Sequence, residues 1–421
     1  MKRYETYKEC GVQWLGEIPT HWDVKRLASA FVENRTLNTN LESTDAYKFN
    51  YGTLVRKDED VTNEDVIETY RKYTLIEPND ILINGLNLNY DFVSQRVAMS
   101  NNKGIITSAY LAITPRELVN PNYYCYFLKA MDSKKMFHGM GTGIRLTLSF
   151  AELKKQFVLF PPKAEQETIV AFLDEKTAEI DGLVSQVERE IELLKEYKQA
   201  EIAHVVTHGL NPNAPMKPSG ISWIGDIPEH WTTRKMKFTF TERSEKNHPD
   251  EPVLCATQSQ GVIPQSMYDN RVVVVNKGFE NLKFVKVGDF VISLRSFQGG
   301  IEYAHYQGII SAAYTVLTPN KAIDPGYARL LMKSHDFIQL LKTCVTGIRE
   351  GQNINYDLLK NKFIPIPPLA EQQEIVEYID RKTTEIDRLV VELTYQVEYL
   401  KEYKQRLIAD VVTGKINVQP N

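Results

Sequence analysis

The sequence predicts an α+β fold: two tandem strand-rich domains, each followed by a long helix, with the helices pairing as an antiparallel intramolecular coiled coil of pseudo-two-fold symmetry. Three observations predict it. The chain contains itself twice, each long charged segment carries a heptad seam, and the stretches between them read as short strands joined by turns.

The duplication is explicit. Gly11-Val12-Gln13-Trp14-Leu15-Gly16-Glu17-Ile18-Pro19-Thr20-His21-Trp22 returns as Gly220-Ile221-Ser222-Trp223-Ile224-Gly225-Asp226-Ile227-Pro228-Glu229-His230-Trp231. Pro161 to Thr207 returns from Pro367 to Thr413 with about 27 of 47 aligned positions identical, a repeat of whole-domain size rather than a solenoid unit. The expected organisation is a globe over 1–160, a central helix over 161–210, a linker and second globe over 211–366, and a C-terminal helix and tail over 367–421.

In the first globe, Tyr73 to Asn84 reads as strand, turn at Asn79-Asp80, strand; Asn281 to Ser293 repeats it with a turn at Gly288-Asp289. Further strands are expected at Ile105 to Ile113, Arg271 to Val275 and Ile309 to Leu317. Short helices are expected after Pro121 and Pro325, over Tyr123 to Met131 and Tyr327 to Lys333. Each long helix starts after a proline pair, Pro161-Pro162 or Pro367-Pro368, which imposes extended backbone and suits a first turn.

The first helix carries a positions Val170, Thr177, Val184, Ile191 and Lys198, with d positions Leu173, Ile180, Val187, Leu194 and Glu201. The second has Val376, Thr383, Val390, Val397 and Lys404 at a, and Ile379, Ile386, Leu393, Leu400 and Leu407 at d. Glycines end both, at Thr207-His208-Gly209 and Thr413-Gly414. Asn211 to Gly220, with three prolines, reads as a stiff linker. It is too short to return the chain for a parallel pairing, so antiparallel packing is expected, with globes held apart by a rod.

Composition narrows the function. A formal charge of −4 over 421 residues gives no global attraction for polyanions, so such a partner would be held by local basic surfaces. Cys10, Cys125, Cys255 and Cys344 are scattered without metal-ligand spacing and are expected to be reduced thiols. The amino terminus has no apolar signal segment and no run approaches a membrane span, so a soluble, cytoplasmic protein is expected. No phosphate-binding P-loop occurs, because Thr413-Gly414-Lys415 lacks the upstream glycine and following hydroxyl. Phe160-Pro161-Pro162-Lys163 and Ile366-Pro367-Pro368-Leu369 lack the polar residue before and the aromatic after paired prolines that an amino-methyltransferase needs. With no acidic cluster for metal-dependent cleavage either, the sequence presents no catalytic constellation and no metal site, which disfavours a free-standing methyltransferase or nuclease.

The repeated Trp-containing tags and the Pro-Pro-x-Ala-Glu-Gln starts at Pro161 to Gln166 and Pro367 to Gln372 closely resemble the specificity subunit of type I restriction-modification enzymes over essentially the whole chain. The resemblance implies a non-catalytic subunit in which each globe is a target-recognition domain reading one half of a bipartite DNA site. The helices would act as a ruler and as docking surface for two methyltransferase subunits, with motor-nuclease subunits joining the full complex. S-adenosylmethionine, ATP and Mg are then expected on partner subunits, with no cofactor on this chain. The alternative is a coiled-coil protein adaptor without DNA recognition.

Under that resemblance the two copies separate scaffold from reader, because half-sites differ in sequence while docking surfaces can stay alike. Trp14, Trp22, Trp223 and Trp231, kept in both copies, are expected to be packing anchors. Glu165, Gln166, Asp174, Lys176, Glu179 and Asp181, with Glu371, Gln372, Asp380, Lys382, Glu385 and Asp387, are expected on exposed helix faces as methyltransferase contacts. Reading favours Arg on guanine, Asn or Gln on adenine, and small donors on phosphate. The candidates in the first globe are Asn50, Tyr51, Thr53 and Arg56, then Asn87, Asn89 and Tyr90, then Thr142 and Arg145. In the second they are Thr257, Gln258, Ser259 and Gln260, then Arg295, Ser296, Phe297 and Gln298, then Thr346, Arg349, Gln352 and Asn353. The Thr-Gly-Ile-Arg loop occurs in both copies, so Arg145 and Arg349 are expected to clamp phosphate rather than read bases.

Overall fold

A computed structural model describes residues 2–117, 119–141, 143, 146–268, 278–347 and 353–420. The chain forms two compact units, one of Met1–Glu188 with Tyr395–Asn421, the other of Arg189–Thr394. Each joins one globe to part of both long helices, because a helix seam is buried by whatever apolar surface lies beside it, whichever repeat supplies it.

The long helices span Lys163–His208 and Leu369–Val412. Both stop before a glycine with positive φ, Gly209 at +79° and Gly414 at +75°. Only glycine fits there. A Cβ on Gly209 would lie 3.2 Å from the Trp231 ring, and one on Gly414 would lie 2.5 Å from Pro19 and 3.0 Å from the Trp22 ring.

The helices run antiparallel within each unit. In the first unit Lys401 meets Glu188 and Lys404 meets Asp181, so one index rises as the other falls. In the second, Lys198 meets Asp387 and Tyr378 meets Glu201 in the same sense. The seam is buried at Leu173, Thr177, Ile180, Val184 and Val187 in the first unit and at Ile379 and Ile386 in the second.

Each globe repeats one plan. Four antiparallel strands run Phe31–Asn34, Leu111–Pro115, Ile81–Ile83, Val97–Met99 in the first unit. The counterpart in the second is Phe240–Arg243, Thr315–Pro319, Phe290–Ile292, Glu302–Tyr303. The first unit adds a sheet of Thr53–Arg56, Ala46–Asn50, Gly104–Ile106 and Thr74–Ile76, in which Gly104–Ile106 lies parallel to Ala46–Asn50. The globe is closed at the helix start by Asp23–Arg26 paired with Phe157–Phe160, and in the other unit by Thr232–Lys235 paired with Phe363–Ile366.

Three sequence expectations change. The single strand expected at Ile105 to Ile113 is two strands in different sheets, split by a turn in which Tyr110 N–H donates to the Thr107 carbonyl. The same split divides Ile309 to Leu317, at Ser311 to Tyr314. The linker is not all linker, since Met216–Ile221 pairs with Gly225–Pro228, with a register shift between Pro218 and Ile221. The strand expected at Arg271 to Val275 lies outside the described residues. The helices expected after Pro121 and Pro325 are present as Pro121–Ser133 and Pro325–Lys333, capped by the Asn120 and Asp324 side chains.

Candidate nucleic-acid interface

The strand-turn-strand units place one buried aspartate in each globe. Asp80 accepts from Asn34 Nδ2 at 2.9 Å, Thr114 Oγ1 at 2.6 Å and the Glu77 N–H at 3.1 Å. Asp289 accepts from Arg243 Nε at 2.8 Å, Thr318 Oγ1 at 2.7 Å and the Lys286 N–H at 2.8 Å. Both are about 1% exposed. Both oxygens of each carboxylate accept hydrogen bonds that tie a turn to two neighbouring strands, so these carboxylates are structural.

In the first unit the hairpin tip carries Asn50, Tyr51 and Thr53, with Arg56 at the far end of its second strand, all exposed. Tyr51 is bent into positive φ ahead of Gly52, and Thr53 Oγ1 donates to the Asn50 carbonyl at 2.6 Å, which shapes the turn. Arg56 pairs with Asp45 at 2.5 Å. The second loop, after Ile83, exposes Asn87 and Tyr90 and half-buries Asn89. Phe92 and Val93 stand beside them, also exposed.

A residue the sequence reading missed organises this loop. Arg96 is fully buried; its Nη1 donates to the Asn84 and Leu86 carbonyls at 3.0 and 2.8 Å, and its Nη2 to the Asp91 carbonyl at 2.7 Å. Its own N–H donates to Asp132 at 2.7 Å. The Asp91 carboxylate accepts the Ser94 and Val93 N–H groups, and bonding to Ser94 above all, then the Val93 bond and the charge of Arg96, lowers its pKa to about 2. The ring of His138 stacks on Phe92 at 4.5 Å. One arginine preceding an apolar strand, Val97–Met99, was the available signal.

In the second unit Gln258, Ser259 and Gln260 are exposed in the turn between Leu254–Thr257 and Gly261–Pro264. Thr257 is buried instead, its hydroxyl donating to the Gly261 carbonyl and accepting the Gln260 N–H, both at 3.0 Å. Arg295 and Gln298 are exposed on the loop after Ile292. Ser296 is buried and accepts the Ser293 N–H at 2.9 Å, while Phe297 packs on the hydrophobic core. These three shape the loops from within rather than line their outer surface. Thr346 and Asn353 are exposed in the pair Val345–Thr346 with Asn353–Ile354. Thr142, Arg145, Arg349 and Gln352 lie outside the described residues.

The repeated tags are anchors. Trp22 and Trp231 are fully buried, Trp14 packs on Phe127 and Trp223 on Phe337. The Trp22 indole donates to Glu165 at 2.6 Å and His21 Nε2 meets the same carboxylate at 2.7 Å; Trp231 and His230 treat Glu371 alike, at 3.0 and 2.7 Å. A carboxylate only accepts, so each histidine presents Nε2–H. Gln166 and Gln372, expected on an exposed face, are buried. Their amides accept from the Asn120 and Asp324 N–H groups and donate to the Pro161 and Pro367 carbonyls, satisfying the chain where prolines offer no N–H.

The remaining helix candidates are on the surface. Asp174 accepts from Tyr126 at 2.7 Å and Asp380 pairs with Arg329 at 3.1 Å. Lys176 pairs with Glu179 along the same helix, and Asp181 and Asp387 are taken up by Lys404 and Lys198. Glu385 is exposed and Lys382 partly so. At each helix end a buried tyrosine closes the unit: Tyr123 donates to the Val412 carbonyl at 2.9 Å and Tyr327 to the Val206 carbonyl at 2.8 Å. Burial pushes both phenols well up, so both stay protonated donors.

Residues 19–193 and 217–398 match the family described as type I restriction modification DNA specificity domain. A relative, the type I restriction enzyme MjaVIII specificity subunit of Methanocaldococcus jannaschii, is 24% identical over 375 residues, spanning 84% of this chain and 83% of its own. Among solved structures, a chain from a study of complex assembly and conformational transition of the type I R-M system aligns with a TM-score of 0.67 at 14% identity, over 95% of this chain and 99% of that one. The HsdS subunit from Thermoanaerobacter tengcongensis aligns with a TM-score of 0.54 at 17% identity, over 95% and 98%. The structural likenesses establish a shared fold.

Proposed function

The chain belongs to the family of type I restriction-modification DNA specificity domains, and from that premise we propose that each unit reads one half of a bipartite DNA site. Specificity subunits are the non-catalytic members of type I restriction enzymes, and this chain is one. In the proposed division of labour the two long helices set the spacer between half-sites and dock two methyltransferase subunits. Those partners bring S-adenosylmethionine, and motor-nuclease subunits with ATP and Mg join the full complex in the cytoplasm.

The observation that carries this reading is how unevenly the two units repeat. The tryptophan anchors, glutamine staples, tyrosine locks and lysine crossings recur residue for residue. The loops after the paired strands do not: Asn87, Asn89 and Tyr90 stand where the other copy has Arg295 and Gln298, on different supports. A common frame with private loops is what two different half-sites require, since phosphate contacts and docking carry no sequence information while base contacts must differ.

Inserting one heptad into each long helix, between Glu188 and Arg189 and between Thr394 and Tyr395, keeps the seam in phase and adds about 10 Å, roughly three base-pair steps. The reconstituted complex should then prefer a spacer about three base pairs longer with both half-sites unchanged. An unaltered spacer sinks the ruler.

A further inference from the structure

We infer that Lys333 is a specificity-positioning residue of the second unit: its ammonium ties the two candidate reading loops to each other and to a buried carboxylate. This inference rests on the DNA-reading function proposed above.

Lys333 is the last residue of the helix Pro325–Lys333. Its Nζ donates to the Gln258 carbonyl at 3.2 Å, the Gly299 carbonyl at 2.9 Å and Glu302 Oε1 at 2.6 Å. An ammonium carries three N–H donors. All three are spent inside the protein, one on each loop and one on the strand Glu302–Tyr303, so Lys333 is a hub and not a DNA contact. Its Glu302 partner is 2% exposed, and the pair together crosses from helix to sheet beneath both loops.

The fit leaves no slack. A Cβ on Gly299 would lie 2.9 Å from Gln258 Cγ, and one on Gly300, whose φ is +86°, would lie 2.4 Å from the Met332 carbonyl and 3.1 Å from Lys333 Cδ. The Gln258 turn and the Arg295 to Gly299 loop therefore abut, and Lys333 joins main-chain carbonyls, which fixes the separation of the loops whatever side chains they display. The first unit uses the same device with another residue: Arg96 gathers three carbonyls of the loop that bears Asn87, Asn89 and Tyr90. Cationic bracing under both loop sets, from an arginine before a strand in one unit and a lysine at a helix end in the other, is expected where loops differ but must each be held rigidly for base-edge recognition.

The test uses the chain assembled with its methyltransferase subunits and DNA libraries randomised at one half-site at a time, reading methylated sequences. Lys333→Met removes the donors and keeps the length. Discrimination at the second half-site should fall about tenfold, the scale of one well-placed base contact, while the first half-site stays unchanged and reports that the complex is intact. Lys333→Arg, which keeps charge and several donors, should recover most of that loss. An unchanged second half-site in Lys333→Met overturns the inference, and so does an equal loss at both half-sites. If Lys333→Met fails to fold, Lys333→Gln serves: it must broaden the second half-site alone, and an unbroadened preference overturns the inference equally. A wild-type complex without preference at either half-site would count against the DNA-reading function itself, whereas a wild-type preference that survives the substitutions counts against Lys333 alone.

Discussion

Trp231 and Glu371 lie 140 residues apart in the chain and meet through an indole N–H to carboxylate bond of 3.0 Å, with the tryptophan fully buried. The bond joins the start of a globe to the first turn of the helix that follows it. Glu371→Ala strands a buried indole donor and should cost the second unit about 2 kcal/mol. Hydrogen exchange should show the loss around Trp231 and leave the Trp22 region protected; Glu165→Ala should give the mirror image. Equal exchange in both units for either variant would contradict the anchor.

The tyrosine locks predict a second unit-specific effect. Tyr327→Phe leaves the Val206 carbonyl without its hydroxyl partner and should destabilise that helix end by about 1 to 2 kcal/mol, with faster exchange at 203–209. Tyr123→Phe should do the same at 409–414. Unchanged exchange at these ends would remove the hydroxyls from the account.

The lysines at seam positions predict a gain. Lys404 and Lys198 spend their ammonium groups on Asp181 and Asp387 at the solvent edge of the pair, at distances of 2.5 to 2.7 Å. Such exposed pairs contribute little, whereas a leucine at an a position would bury apolar surface. Lys404→Leu should therefore add about 1 kcal/mol of stability and raise the melting temperature. A lowered one would mean that the lysine crossings hold the helices in register more strongly than their exposure suggests.

Most of the frame was legible in the sequence because it is periodic or duplicated. The heptads located both helices, the proline pairs their starts, Gly209 and Gly414 their ends, and the tags their tryptophans. What escaped has physical reasons. Gln166 and Gln372 read as helix-face residues, yet they are buried because Asn120 and Asp324, far away in sequence, offer N–H groups that need an acceptor. Thr257, Ser296 and Phe297 look like reading residues by composition, but a loop must spend some side chains on its own backbone and core. Arg96 and Lys333 escaped because most of their partners are main-chain carbonyls, which no side-chain pattern records; the position of Arg96 before an apolar strand was the one cue.

Strong acid should loosen the candidate reading loop that Asp91 holds. Asp91 is held at a pKa of about 2, below its ordinary 3.8, by the Ser94 and Val93 N–H groups and Arg96. A depressed carboxylate contributes stability above its ordinary value and loses it as pH falls through the folded value. Protection of residues 84–96 against exchange should accordingly persist to about pH 4 and decay toward pH 2. Asp91→Asn should flatten that dependence; an identical acid profile in the variant would exclude Asp91 as its cause.

The central claim is that one duplicated chain reads a split DNA site through two different loop sets. Sequencing of methylated bases in DNA from cells carrying this chain with its methyltransferase subunits tests it most directly, compared with cells lacking this chain alone. A bipartite motif is expected: two unlike half-sites, a spacer of fixed length and one modified adenine in each half, all vanishing without the chain. A contiguous motif, or methylation that persists unchanged without the chain, would contradict it.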